Sequence, residues 1–445
     1  MSHNFNSNYK IGSAQDAKAP YLTPTNRVSG IGYLDNNATS YRNLTSNLVY
    51  FNVQIPSGSQ NMSVYINIGN NFPLGGTMTL GAQDNSNWSY QSQLIYSSLL
   101  QNLSYYKYGG ENPKIYRINS NLSLVNNMNE IPKNSVVMTD LNLNPIENNQ
   151  TFQIQNLTIN TTLRGGHTFY VYLKNSLILK VQKQDLNWYN ETDSLTMSLY
   201  SLNGDLIANS TIPDDGIDSV DKGTAIIQTG YLNATNLTPR VYKLVFSPSS
   251  YDGLIRSISI NTNKIVTQMF FLADNSEYGL PANLSMIYTE AANPTYLTFD
   301  TYHSSGFQNI SYNKKIFEIQ ETNANDELHL SSGNYTLSIP ENDIIVQSQG
   351  WMSFSKGSYF NPFVYTIIPL GNNLAGADYV VTDYNPVQIE NGWMTLNANF
   401  NLTGLYIKNG ELSMLINTPH LSSSNNTEYI PIDWINTTVH KNGII

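Results

Sequence analysis

The densest run of potential ligand atoms is Asp214-Asp215-Gly216-Ile217-Asp218-Ser219-Val220-Asp221. Carboxylate oxygens spaced this closely around a glycine suit calcium, a hard cation that takes about six to eight oxygen ligands. Asp214, Asp215, Asp218 and Asp221 are the expected ligands. No Glu closes a loop of about twelve residues, so the pattern departs from an EF-hand. The alternative is a solvated turn after Pro213. A flat aromatic ring can stack on a sugar ring, and Trp188-Tyr189, set among Asp185, Asn187, Asn190 and Glu191, is the expected carbohydrate platform. Trp351 and Trp393 are further candidates, but Trp351 and Trp434 are flanked by apolar residues and read as core.

Other chemistry is thinly represented. The histidines are His3, His167, His303, His329, His420 and His440, and none pair at the i, i+4 spacing of a helical zinc site. There is no Gly-X-Ser-X-Gly elbow and no phosphate-binding glycine loop. Ser304-Ser305-Gly306 beside His303 lacks an elbow context and reads as a surface turn. With no cysteine in the chain, disulfides, cysteine-ligated zinc and a thiol nucleophile are excluded together. Distant carboxylates could still meet as acid and base. The expectation is a protein that is not an enzyme, with a secreted acid hydrolase as the remote alternative.

Asn-X-Ser/Thr sequons occur at Asn37, Asn43, Asn61, Asn87, Asn102, Asn121, Asn149, Asn156, Asn160, Asn190, Asn209, Asn233, Asn236, Asn283, Asn309, Asn334, Asn401, Asn425 and Asn436. Asn is so common that about half of these are expected by chance. Their spread over the whole chain, rather than within one linker, favours the glycosylated reading over chance.

Composition sets the frame for these sites. The chain has 445 residues, of which 40% are hydrophobic and only 12% charged. Typical soluble domains carry about 25% charged residues, so this surface must be solvated mainly by neutral polar groups. Net charge is -10 with 22 Lys and Arg and no basic patch, so nucleic acid is not an expected partner. Low charge density permits close lateral packing, and self-association or neighbouring surface proteins are the expected partners, with glycans a further one. The absence of cysteine points to a prokaryotic surface or a virus particle. The N-terminus Met1-Ser2-His3-Asn4-Phe5-Asn6 is polar, and no stretch approaches the ~18 apolar residues of a membrane span. Either an ectodomain whose signal or anchor has been removed or a viral structural protein fits, and the former is preferred.

The elements that must position these residues are strands. Leu48–Ile55, Met62–Ile68, Thr168–Leu173, Leu177–Gln182, Leu195–Tyr200 and Val241–Phe246 are rich in β-branched and Tyr residues, with period-two alternation in places. Turn signals such as Asn203-Gly204-Asp205 separate them at sandwich-like spacing. One helix is expected, over Tyr90–Leu100. The polar, Pro-containing run Asn142–Asn149 marks a boundary. The expected organisation is all-β: an extended N-terminal arm at 1–30, then three tandem jelly-roll-like β-sandwiches at 31–145, 146–267 and 268–445.

Two stretches resemble known modules. His167 through Leu199 and on to Ser201-Leu202-Asn203-Gly204 resembles the pre-peptidase-type jelly rolls of secreted bacterial and archaeal proteins. Leu412–Ile416 with Ile432-Asp433-Trp434-Ile435-Asn436 resembles the closing strands of a galactose-binding-like jelly roll. Together these cover about half the chain. The cysteine-free, Asn- and Tyr-rich character also resembles archaeal S-layer and other cell-surface glycoproteins, a compositional likeness that implies no particular site residue. The expected function is therefore an extracellular structural coat, S-layer-like and archaeal. A carbohydrate-binding adhesin or a viral spike is the alternative.

Overall fold

The computed structural model describes residues 3–34, 39–73, 75–107, 113–141, 143, 145–186, 192–217, 226–250, 252–273, 284–291, 295–303, 306–323, 325–370, 374, 376–421 and 429–441. The fold is all-β, built from jelly-roll-like sandwiches. Among the described residues the one α-helix is the short Ala14–Lys18, whose first turn is capped by the Ser13 hydroxyl accepting from the Asp16 N–H at 3.2 Å. No helix among them is long and apolar enough to cross a membrane.

Contacts divide the chain into two compact units. The first is Met1–Glu130, Met138–Asn142 and Pro369–Ile445; the second is Ile131–Val137 and Leu143–Ile368. In the first, one sheet runs Val28–Leu34, Thr39–Leu44, Ile430–Lys441, Ser59–Gly69, Trp393–Asn401, with His3–Lys10 also paired along Ile430–Lys441. A second sheet holds Glu411–Asn417 between Leu48–Gln54 and Thr77–Gln83, with Tyr90–Ser97 beyond. Both sheets contribute to one core, in which Phe51, Leu80 and Met414 meet Val64, Leu396 and Ile435. Period-two alternation produces this: Ser59–Gly69 buries Met62, Val64, Ile66 and Ile68 and turns the intervening residues outward. Each aliphatic side chain so buried contributes about 1.5–3 kcal/mol.

The second unit begins with another sandwich. One sheet runs Leu206–Ile212, Leu195–Tyr200, Arg240–Pro248, His167–Leu173, Ile265–Leu272. The facing sheet runs Ile227–Thr235, Ser176–Asp185, Gly253–Ile260, with Leu157–Ile159 along the last. Ile265–Leu272 then pairs with the long strand Ile344–Ser353, which also pairs with Ser285–Ala291 and Thr295–Thr301 and so opens a second set of strands. One continuous core runs through the unit, from Leu179 and Phe246 to Phe299 and Leu337.

Three expectations are corrected. Tyr90–Ser97 is a strand, not part of a helix, because pairing with Thr77–Gln83 satisfies its backbone and overrides a weak local preference. The stretch 1–30 is not an extended arm, since His3–Lys10 is hydrogen-bonded along its whole length to Ile430–Lys441. The boundaries at 145/146 and 267/268 are not where the contacts divide. Residues 369–445 close the first unit because Trp393–Asn401 and Ile430–Lys441 flank Ser59–Gly69.

His167 is tied into this framework through both ring nitrogens. Its Nε2 accepts the Phe271 N–H at 3.1 Å, so its Nδ1, 3.1 Å from the Gly165 carbonyl, carries the proton and donates. Burial lowers its pKa from 6.5 to about 4. The unfolded chain therefore takes up a proton as pH falls through the ordinary histidine range, while the folded chain resists until about pH 4. The stability this provides is complete above about pH 6.5 and is lost on acidification towards 4, by about 2–3 kcal/mol at ~pH 4.5. His167→Gln is expected to be less stable at neutral pH and to lose correspondingly less on acidification, as read by urea unfolding of both proteins at the two pH values.

Candidate functional site

The strand Ser176–Asp185 buries alternate residues, and its inward register reads Leu177, Leu179, Val181 and then Lys183, Asp185. The last two positions exchange aliphatic for charged side chains without leaving the inward face. Pairing with Gly253–Ile260 shifts register between Gln182 and Lys183, a bulge at the point where the chemistry changes. Further carboxylates gather at the ends of neighbouring strands. Asp193 lies two residues before Leu195–Tyr200, Asp214 and Asp215 follow Leu206–Ile212, and Asp252 immediately precedes Gly253–Ile260.

These residues form an acidic pole at one end of the sandwich. Ligand oxygens of Asp185, Asp193 and Asp252 lie within 4.8 Å of one another, as do those of Asp185, Asp214 and Asp215. Asp185 thus belongs to both groups. Asp185, Asp193 and Asp252 are buried, and Asp214 and Asp215 are half-buried. Lys183 Nζ lies 3.9 Å from Asp185 Oδ2 and donates to the Pro213 carbonyl at 3.3 Å. Burial pulls the Lys183 pKa down, against the opposing pull of Asp185, Asp193, Asp214 and Asp215. The Asp193 N–H donates to Asp214 Oδ1 at 3.4 Å, and Asp215 Oδ1 accepts from the Ile217 N–H at 2.9 Å. An oxygen-only donor set of this kind suits a hard cation.

Of the four acidic residues expected from the sequence, Asp214 and Asp215 reach this pole, whereas Asp218 and Asp221 lie outside the described residues. Local spacing missed Asp185, Asp193 and Asp252, which come from three other places in the chain. A partial signal existed: period two starting at Leu177 points Lys183 and Asp185 into the core. Trp188 and Tyr189 also lie outside the described residues, as do Ser304 and Ser305. Trp351 is core, 4% exposed and packed edge-on to Tyr170 with ring centroids 5.1 Å apart, whereas Trp434, also expected in the core, is half-buried on the outward register opposite Lys10 and Asn67. Trp393 is half-buried at the start of its strand, 6.1 Å from the Tyr41 ring.

The exposed aromatic that sequence reading passed over is Trp88. It is 71% exposed and holds φ at 58°, a left-handed conformation that a bulky residue rarely adopts. It borders a cavity of about 350 Å³ shared with Asn52, Gln83, Tyr406 and Glu411. A groove of about 250 Å³ elsewhere in the first unit holds Asp140 and Asp383. Burial raises the Asp140 pKa, and its Oδ2 accepts the Leu94 N–H at 2.8 Å.

The outer face of the first unit's large sheet is an amide grid. Across His3–Lys10, Ile430–Lys441, Ser59–Gly69 and Trp393–Asn401, one row is Asn4, His440, Asn61, Asn401, and the next is Asn6, Thr438, Ser63, Asn399. The third row is Asn8, Asn436, Tyr65, Asn397, and the fourth is Lys10, Trp434, Asn67, Thr395. The grid bonds internally: the Ser63 hydroxyl donates to Asn399 Oδ1 at 2.7 Å, and Asn67 Nδ2 donates to the Thr395 hydroxyl at 3.2 Å. Lys10 is ion-paired with Asp433. The four rows hold no carboxylate of their own; Asp433 meets Lys10 at one corner, and Asp140 and Asp383 share a groove with Asn397 and Asn399.

Among the sequons, Asn37, Asn190, Asn283 and Asn425 lie outside the described residues. Asn43 and Asn436 are half-buried and the others are exposed.

At the acidic pole, Lys183→Met would leave the carboxylates without that ammonium. Without added divalent cation it is expected to destabilise the second unit by about 3–5 kcal/mol, measured by denaturant unfolding.

No protein-family model matches the chain, and no curated protein matches it. Solved structures with some likeness include infectious bursal disease virus Gx strain, at 9% identity over 99% of this chain and 80% of that one, TM-score 0.16. A structure described as the triple jelly roll fold and turret assembly in an archaeal virus matches at 9% identity over 81% of this chain and 97% of that one, TM-score 0.17. A chain of Sulfolobus Turreted Icosahedral Virus matches at 9% identity over 78% and 96%, TM-score 0.18. Likenesses at this level do not bear on function.

Proposed function

We propose that this chain is a structural protein of an extracellular coat, such as an archaeal S-layer or a particle shell, whose β-sandwiches associate through neutral sheet faces. The amide grid carries the reading. Each Asn side chain offers both donors and acceptors, so a face built from them is complementary to a second copy of itself. With no carboxylate in its rows and Lys10 neutralised by Asp433, two such faces approach with little charge repulsion. Individual amide hydrogen bonds contribute only about 0.5–1.5 kcal/mol net, so a flat array needs many at once, which suits lattice contacts.

Two measurements test it. Purified full-length chain is expected to form sheets, filaments or particles in electron micrographs as concentration rises. The double substitution Asn6→Glu with Asn397→Glu is expected to suppress assembly at low salt and to recover part of it at high salt, as screening shortens repulsion. A wild-type chain that stays monomeric at every concentration would remove the coat reading. Glycans on the grid would block such a contact. In protein from its native source, peptides containing Asn61, Asn401 and Asn436 are therefore expected without glycan by mass spectrometry, and loop sequons such as Asn87, Asn121 and Asn149 with it.

A second reading, a glycan-binding adhesin or spike, is favoured by Trp88. An exposed indole held in a costly backbone conformation beside amide and carboxylate groups has the make-up of a sugar-stacking platform. In that case Trp88→Ala is expected to weaken binding on a glycan array at least about tenfold without changing the melting temperature, since the ring covers little core. Binding that is equal in wild type and variant would sink it.

A further inference from the structure

We propose that the acidic pole of the second unit is a calcium site, with Asp185, Asp193 and Asp252 as its buried carboxylate ligands and with Asp214 and Asp215, which group separately with Asp185, on its more exposed flank. Clustering alone does not make the argument, because exposed acidic groups commonly gather without an ion. Asp193 does. It is 2% exposed, its Oδ1 has no hydrogen-bond partner, and its ligand oxygen lies within 4.8 Å of those of Asp185 and Asp252. A buried carboxylate with an unpartnered oxygen, grouped with two other carboxylates, is strongly unfavourable unless a cation offsets its charge. Asp215 repeats the pattern on the other side of Asp185, where its Oδ2 is also buried and without a partner. Lys183 brings one ammonium to the pole, 3.9 Å from Asp185 Oδ2.

The donor chemistry selects the ion. Every candidate ligand is an oxygen, which disfavours zinc with its preference for nitrogen and sulfur. Buried carboxylates from three strand ends, with a second pair of carboxylates grouped on Asp185, form an irregular all-oxygen set. That suits calcium better than magnesium, which demands a near-ideal octahedron and keeps several waters. The ion would also have a mechanical role. Asp185 ends one strand and Asp252 precedes its neighbour in the same sheet, while Asp193, Asp214 and Asp215 flank strands of the facing sheet. A bound calcium would tie the two sheets together at this end, where inward residues are charged and hydrophobic contact cannot. The proposal is independent of whether the chain forms a coat.

The test uses the full chain stripped with a chelator and then titrated with calcium chloride. Metal analysis after dialysis is expected to find about one calcium per chain. The second unit's melting temperature is expected to rise by about 5–10 °C at free calcium ~100-fold above the dissociation constant. Asp193→Asn is expected to match or exceed the wild type's melting temperature in chelator, because it removes a buried charge, and to lose most of the calcium-induced rise. That inversion distinguishes a metal ligand from a residue that merely supports the fold. Asp252→Asn provides the same comparison should Asp193→Asn not fold. Three results would each overturn the proposal: no calcium uptake at millimolar concentration, equal melting in calcium and chelator, or an equal rise with magnesium at the same concentration.

Discussion

The two faces of a β-strand alternate, and every feature described above depends on that constraint. Because successive side chains point to opposite sides of the sheet, each strand writes one text for the core and another for the solvent. Inward, Ser59–Gly69 presents Met62, Val64, Ile66 and Ile68, which join the first unit's core. Outward, the same strand presents Asn61, Ser63, Tyr65 and Asn67 to the amide grid. In the second unit, Ser176–Asp185 keeps its inward register while exchanging aliphatic residues for Lys183 and Asp185, and the acidic pole results. Core, grid and pole are three outcomes of one periodicity.

The small number of charged residues gives the charged clusters their meaning. With 12% of the chain charged, most surface is solvated by amides and hydroxyls, so a concentration of five carboxylates at one sandwich end stands apart from its background. Burial there cannot be offset by water, which is why Lys183 is held close to Asp185 despite the desolvation that lowers its pKa. His167 meets the same constraint differently. It stays neutral and satisfies both ring nitrogens with backbone groups.

Much of the fold was legible in the sequence. The strands Thr168–Leu173 and Leu177–Gln182 were readable within a few residues of where His167–Leu173 and Ser176–Asp185 lie, because β-branched and aromatic residues and turn glycines act locally. The amide grid could also have been read in part, since Asn4, Asn6, Asn8 and Asn397, Asn399, Asn401 repeat at period two. Tyr90–Leu100 misled because its apolar residues cluster without a clear period, and only its partner strand decides the matter.

By itself the sequence determined the all-β class, the neutral polar surface, the absence of thiol chemistry and two of the acidic residues at the pole. These follow from composition and from near neighbours in the chain. Tertiary structure alone decided that residues 369–445 complete the first unit, and that Asp185, Asp193 and Asp252 join Asp214 and Asp215. The physical reason is the same in both cases. Backbone hydrogen bonds between strands, like cation-binding oxygens, can be satisfied by any suitably placed partner, however distant in sequence, and so leave no local mark.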